Sequence, residues 1–151
     1  MIVNSIKSIY IRDLSKLKGE IESYPDENSI WKIRSDINNS AGNLTLHLIG
    51  NLNTYIGAEL NKTGYTRNRE LEFTQKNVPR EQLIQGIEAT ISVIENTLDQ
   101  LSATDLEKEY PTIIWDKKNS TAYVLIHLTT HLAYHLGQIN YHRRLDRKSV
   151  V

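Results

Sequence analysis

The chain of 151 residues contains no cysteine. That absence excludes disulfide stapling, a thiolate nucleophile supplied by the protein, and any metal site built on thiolate ligands. Proline occurs three times and glycine seven, so few positions interrupt regular structure. Neither sign of charge is in excess, with Lys plus Arg at 18 and Asp plus Glu at 18. A balanced chain carries no net field to draw in nucleic acid or anionic lipid, and neither is an expected partner. No apolar run approaches the ~18 residues that span a bilayer, and the N-terminus has no signal-peptide core, so a soluble cytoplasmic protein is expected. A hydrophobic content of 39% and a charged content of 24% suit one globular domain over residues 1–151.

What the chain does have is apolar residues at helical spacing. Ile2, Ile6, Ile9, Leu14, Leu17 and Ile21 mark a first helix to about Tyr24, stopped by Pro25 because proline disfavours helix in the residue before it. Asp26 to Asn39 reads as a long ordered connection, with Trp31 packing as a lid over the helices. Asn39-Ser40 is a plausible cap for a second helix through about Leu60, closed near Gly64, where glycine offers a left-handed turn. A charged passage from Arg67 to Phe73 follows, and Pro79 opens a third helix whose stripe runs from Leu83 to Leu101. Thr104 to Asn119 is a second long connection. The last helix is expected from about Ser120 to Arg147, its basic end (Arg143, Arg144, Arg147, Lys148) complementing the helix dipole. Four amphipathic helices of about 20 residues make an all-α four-helix bundle, and the long connections allow a crossover.

Four of the five histidines lie on the last helix. At roughly 100° per residue, His127, His131, His135 and His142 fall within an arc of about 80°. His131 and His135, one turn apart, can bite a divalent ion as a rigid chelate. The third ligand must come from elsewhere, and His47, central in the second helix, is the one histidine off the last. Together they make a candidate three-histidine site with positions open to water or substrate, unlike structural zinc, which is usually enclosed by four protein ligands. His127 reads either as a group that orients a ligand or substrate or as a core histidine. His142, two turns beyond His135, is expected to be too far to ligate and to be satisfied or partly exposed among the arginines. Arg67 and Arg69 read as carboxylate binders or, more simply, as solvated loop charges paired with Glu70 or Glu72. Tyr134 and Tyr141 are expected at a helix contact, and Gln138 is a candidate to orient a ligand or water.

The run His127-Leu-Thr-Thr-His131-Leu-Ala-Tyr-His135-Leu-Gly137-Gln138-Ile139, with a lone histidine in the second helix, resembles the DinB-like superfamily. That superfamily includes the DNA-damage-inducible DinB proteins, YfiT-like bacterial proteins and mycothiol-dependent maleylpyruvate isomerases. The segments Leu46-His47-Leu48-Ile49-Gly50-Asn51-Leu52, Arg67 to Phe73 and Leu101 to Leu106 also look like it. The resemblance implies a bundle with up-down-down-up topology, often a homodimer, with metal ligands at His47, His131 and His135 and zinc or nickel as the ion. Some members are S-transferases or isomerases that use a low-molecular-weight thiol such as bacillithiol or mycothiol. Many members carry arginine directly after the last ligand, where this chain has Leu136.

These readings lead to a metal-dependent transferase in which a small soluble thiol attacks a small-molecule electrophile, in detoxification or stress response. The absence of cysteine fits, since the thiol then comes from outside the protein. The alternatives are a metal-dependent hydrolase that activates water and a non-catalytic module in which the ion braces a dimerising or binding bundle. A haem or di-iron protein is less expected, because the chain lacks the inward Glu-x-x-His pairs on two helices that the ferritin-like di-iron plan requires.

Overall fold

The computed structural model describes residues 1–34 and 36–147; Lys148 of the expected basic helix end lies outside them. The first helix, α1 (Ile2–Glu22), turns Val3, Ile6, Tyr10, Leu14, Leu17 and Ile21 inward, a spacing of three or four that keeps one stripe on the core. Within the following connection Asp26 caps a single turn, α2 (Glu27–Ile30), accepting from the Ser29 amide at 2.8 Å. Trp31 then folds down onto the next helix. A Cβ on Gly42 would stand 2.6 Å from the Trp31 ring, so glycine is what lets the indole approach that closely.

Ser40 caps α3 (Ala41–Leu52) by accepting from the Asn43 amide at 3.1 Å. The second helix continues as expected, but not as uniform α-helix. Asn53–Ala58 forms a π-helical segment before α4 (Glu59–Asn61). The Asn53 amide and the Thr54 hydroxyl both donate to carbonyls one turn back, of Ile49 and Gly50. Such bonds compete with the regular ladder. The helix ends on Lys62, which takes the left-handed conformation (φ 50°) expected nearer Gly64. Gly64 is also left-handed (φ 78°) but lies in the loop beyond.

The charged passage is partly helical: Asn68 caps α5 (Arg69–Thr74). Pro79 precedes α6 (Arg80–Leu98), which stops one turn short of the expected Leu101. Ser102 and Asp105 form a reciprocal capping box on α7 (Ala103–Glu107), and α8 (Thr121–Arg147) is the longest element.

Among the described residues the elements are helical, with only isolated β-bridges between loop positions. The helix α1 packs on α6 and α8, and α3 packs on the same two. The four long helices thus surround one core in which Leu14, Leu17, Leu48, Leu52, Ile87 and Leu132 are almost inaccessible. Buried hydroxyls tie the layers together: Tyr10 donates to the Leu125 carbonyl at 2.6 Å, and Tyr110 donates to the carbonyl of Tyr55, inside the π segment, at 2.6 Å. No helix among the described residues is long and apolar enough to cross a membrane.

Candidate metal centre

The packing of α3 on α8 decides which histidines meet. His47 faces α8 midway along α3, and His131 and His135 face it from successive turns. The His47 and His131 Nε2 atoms lie 3.3 Å apart, those of His131 and His135 lie 3.2 Å apart, and the three ligand nitrogens fall within 4.8 Å of one another. The rings meet edge to face at interplanar angles of 75° to 89°.

Neighbouring oxygens set the tautomers. His47 Nδ1 lies 3.0 Å from Glu72 Oε1. A carboxylate accepts, so Nδ1 carries the proton and Nε2 keeps its lone pair. Glu72 is buried, and Arg67 grips it with two bonds, Nε to Oε2 and Nη2 to Oε1, each 2.8 Å. Arg67 Nη2 also stands 3.3 Å from His47 Nδ1; since that nitrogen donates to Glu72, this is an approach imposed by the shared carboxylate. On α8, His135 Nδ1 lies 2.7 Å from Gln138 Oε1 and donates to it, leaving His135 Nε2 free as well. His131 Nδ1 is buried without a partner among the described residues.

Burial pushes the His47 and His135 imidazoles below the ordinary value of 6.5, with Glu72 and Gln138 pulling in the opposite sense. Burial, with the rings of His135 and His47, takes His131 down to about 4. At neutral pH, neutral His47 and His135 therefore turn Nε2 lone pairs toward His131 Nε2. The donor set fits a cation: zinc–nitrogen bonds of about 2.0–2.1 Å at a tetrahedral angle space neighbouring nitrogens about 3.3 Å apart, close to the spacings from His131 to His47 and to His135.

A cavity of about 230 Å³ opens beside His47 and His131, walled by Asn51, Tyr55, Arg67, Arg69, Trp115 and His127. A second, of about 520 Å³, runs along His135 and Gln138 beneath Tyr134 and Tyr141. His127 is half-buried and outside the trio; its ring lies 4.2 Å from that of Trp115. His142 is satisfied and buried rather than exposed among the arginines: Nε2 donates to the Lys32 carbonyl at 2.8 Å, and Nδ1 accepts from the Tyr24 hydroxyl at 2.7 Å.

Two expectations are corrected. Arg67 and Glu72 are not solvated loop charges, because α5 folds back over Gly50 and buries the carboxylate. Tyr134 and Tyr141 are not at a helix contact; each is 66% exposed. At about 100° per residue the histidine stripe forms a border, with Leu128, Leu132 and Ile139 on its core side and the two tyrosines on its solvent side. Sequence reasoning missed Glu72 as the partner of His47, and Asn51. The signal for Glu72 was Gly50: a Cβ there would lie 2.0 Å from Glu72 Oε2, so the carboxylate occupies the space a side chain would fill.

Gly50→Ala should therefore displace Glu72 and weaken zinc binding about 10- to 100-fold, the range for losing a partner behind a ligating histidine. Competition with a chromophoric chelator measures this, and an unchanged affinity would contradict the clamp. The depressed histidines also set a pH dependence. The unfolded chain, with imidazoles near 6.5, binds more protons than the folded one. Stability of the metal-free protein should be full above pH 6.5 and decline as pH falls toward about 4, where His131 protonates. Urea midpoints across that range should decline less steeply in His131→Gln; parallel curves would show that His131 does not supply the effect.

No curated protein matches the chain. Residues 4–149 match the model of a family described as "Protein of unknown function (DUF1572)", and the chain belongs to that family.

Proposed function

We propose that His47, His131 and His135 hold one divalent ion, zinc or nickel, and that the protein is a thiol-dependent S-transferase of the bacillithiol type acting on small electrophiles. The proposal includes membership of the DinB-like superfamily, with residues 1–151 as one up-down-down-up four-helix bundle. It also includes a cytoplasmic, homodimeric protein serving detoxification or stress response. Tyr134, Tyr141 and Leu145, exposed along α8, are consistent with a surface covered by a second copy.

The observation that carries the reading is the convergence of the three imidazoles beside a cavity. A divalent ion held there supplies Lewis acidity that favours the anionic form of a thiol or of water at neutral pH. The residues around it have distinct tasks. Glu72 and Gln138 hold ring protons on the outer nitrogens of His47 and His135, which keeps the inner nitrogens available. Arg67 neutralises Glu72, so the inner face of the site carries no protein anion to repel a thiolate. His127 and Arg69 reach the adjoining cavity and are placed to orient a substrate. In the transfer, the thiol sulfur bonds to the electrophilic carbon, the leaving group departs with its electron pair, and the thiol proton passes to solvent. The cavity favours this reading over a non-catalytic brace, for which an enclosed four-ligand site would be the economical design.

Metal analysis of untagged protein should find about one divalent ion per chain. His47→Ala should lose most of it, and His127→Ala should retain it. A panel of small thiols with a chromogenic electrophile then separates the activities. Thiol-dependent turnover supports the transferase; hydrolysis without thiol overturns it in favour of a hydrolase; a filled site with neither leaves the binding module.

A further inference from the structure

The cavity of about 520 Å³ along His135 and Gln138 has no lysine or arginine in its wall among the described residues. Its apolar surface comes from Ile37, Leu44, Tyr134, Tyr141 and Leu145. Four of these are large side chains left open to solvent: Ile37 at 37%, Leu145 at 40% and the two tyrosines at 66% each. Single exposed apolar residues need no explanation, but several gathered round a concavity mark a binding surface. The α8 wall continues the pattern. From Thr121 to His142 the helix has no Asp, Glu, Lys or Arg, in a chain that is 24% charged.

The facing wall is held in place by the chain itself. Asp146, near the end of α8, takes Lys32 Nζ at 2.9 Å and Arg34 Nη2 at 3.4 Å. The Ile37 amide donates to the Arg34 carbonyl at 2.9 Å, and Ser40 caps α3 shortly after. The Tyr134 ring meets His135 edge to face at 5.3 Å, so the cavity adjoins one of the three converging imidazoles. The smaller cavity, beside His47 and His131, is walled by two arginines. The two flanks of the trio therefore differ in chemistry, one cationic and one aromatic.

The cavity's volume lies within the ~300–1,000 Å³ usual for sites that hold small molecules. Tyrosine rings pack well against another ring, offset or edge to face. An ion of either sign would lose water there without a firm partner. Arg144 rests over the Tyr141 ring at 5.6 Å but is outside the lining. Asp36, the one carboxylate in the wall, is exposed and keeps its own water. We infer that this cavity is a subsite for the uncharged aromatic body of the electrophile. This deepens the proposed function by naming a substrate class and rests on it for the reaction; the binding itself uses only the chain's own side chains. A second copy against the exposed tyrosines would form a roof over the cavity.

The probes are β-naphthylmethanol, β-naphthoate and β-naphthylmethylamine, which share one ring system and are neutral, anionic and cationic at neutral pH. Each is titrated into protein dialysed against EDTA and followed by the fluorescence anisotropy of the naphthalene. The alcohol should bind at least about tenfold more tightly than the carboxylate, and more tightly than the amine. Tyr134→Ala and Tyr141→Ala should each weaken it about threefold to tenfold; both side chains are exposed enough for the fold to survive their loss. Tyr123→Ala, which removes an exposed tyrosine of α8 outside the cavity, should change nothing. A carboxylate or amine that binds as well as the alcohol, wild-type affinity in both cavity variants, or no binding at all would overturn the subsite. The probes carry no leaving group, and the titration contains neither metal nor thiol. Tyrosine-dependent binding by a protein without thiol-dependent turnover would therefore uphold the subsite and remove the transferase. Turnover without such binding would do the reverse.

Discussion

Glu72 is a carboxylate taken almost wholly out of water, and the site is arranged around making that tolerable. An unpaired buried charge costs several kcal/mol. Here both oxygens are occupied, by the two-pronged grip of Arg67 and by the ring proton of His47. Gly50 supplies the space and α5 supplies the cover. The consequence reaches the next nitrogen along. With its proton drawn to Glu72, His47 presents a lone pair to His131, and rotating the ring or moving that proton to Nε2 would leave the carboxylate short of a donor. Gln138 does the same for His135 across a single helical turn.

The electrostatic result is a site of neutral donors in which the protein's own anion has been compensated. Burial lowers all three imidazoles from their ordinary value of 6.5, His131 to about 4, so proton competition for the inner nitrogens is weak at neutral pH. Arg69 adds a positive charge on the wall of the cavity beside His47 and His131. Fold and chemistry meet at α3, whose π segment begins two turns beyond His47 and whose inner face carries both a histidine and an orphaned Asn51 oxygen.

Much of this was legible in the sequence because it rests on periodicity. The apolar steps of α1 and α6 marked their core faces, and Ser40 marked the start of α3. The four-residue interval from His131 to His135 placed two rings on one line, and the central position of His47 in a long helix made it the natural third. What escaped depends on contacts between segments. A glutamate within a run of charges carries no mark of burial; only Gly50, distant in sequence, betrays it. The π segment, where Asn53 and Thr54 bond to the preceding turn, has no mark in helix propensity. Tyr134 and Tyr141 were misjudged because aromatic residues near a core stripe read as packing, although on α8 they fall beyond the border that the histidines draw.

The central claim is that three particular nitrogens converge, with the tautomers of His47 and His135 fixed in advance, to hold one ion. Long-range proton–nitrogen correlation spectra of protein labelled at histidine, recorded while zinc is added to the metal-free form, test it directly. The account predicts that His47 and His135 begin as Nδ1–H tautomers. The Nε2 resonances of His47, His131 and His135 should shift together and saturate at one equivalent, while His127 and His142 keep their positions. An Nε2–H tautomer at His47, or a titration that moves only the α8 pair, would contradict it.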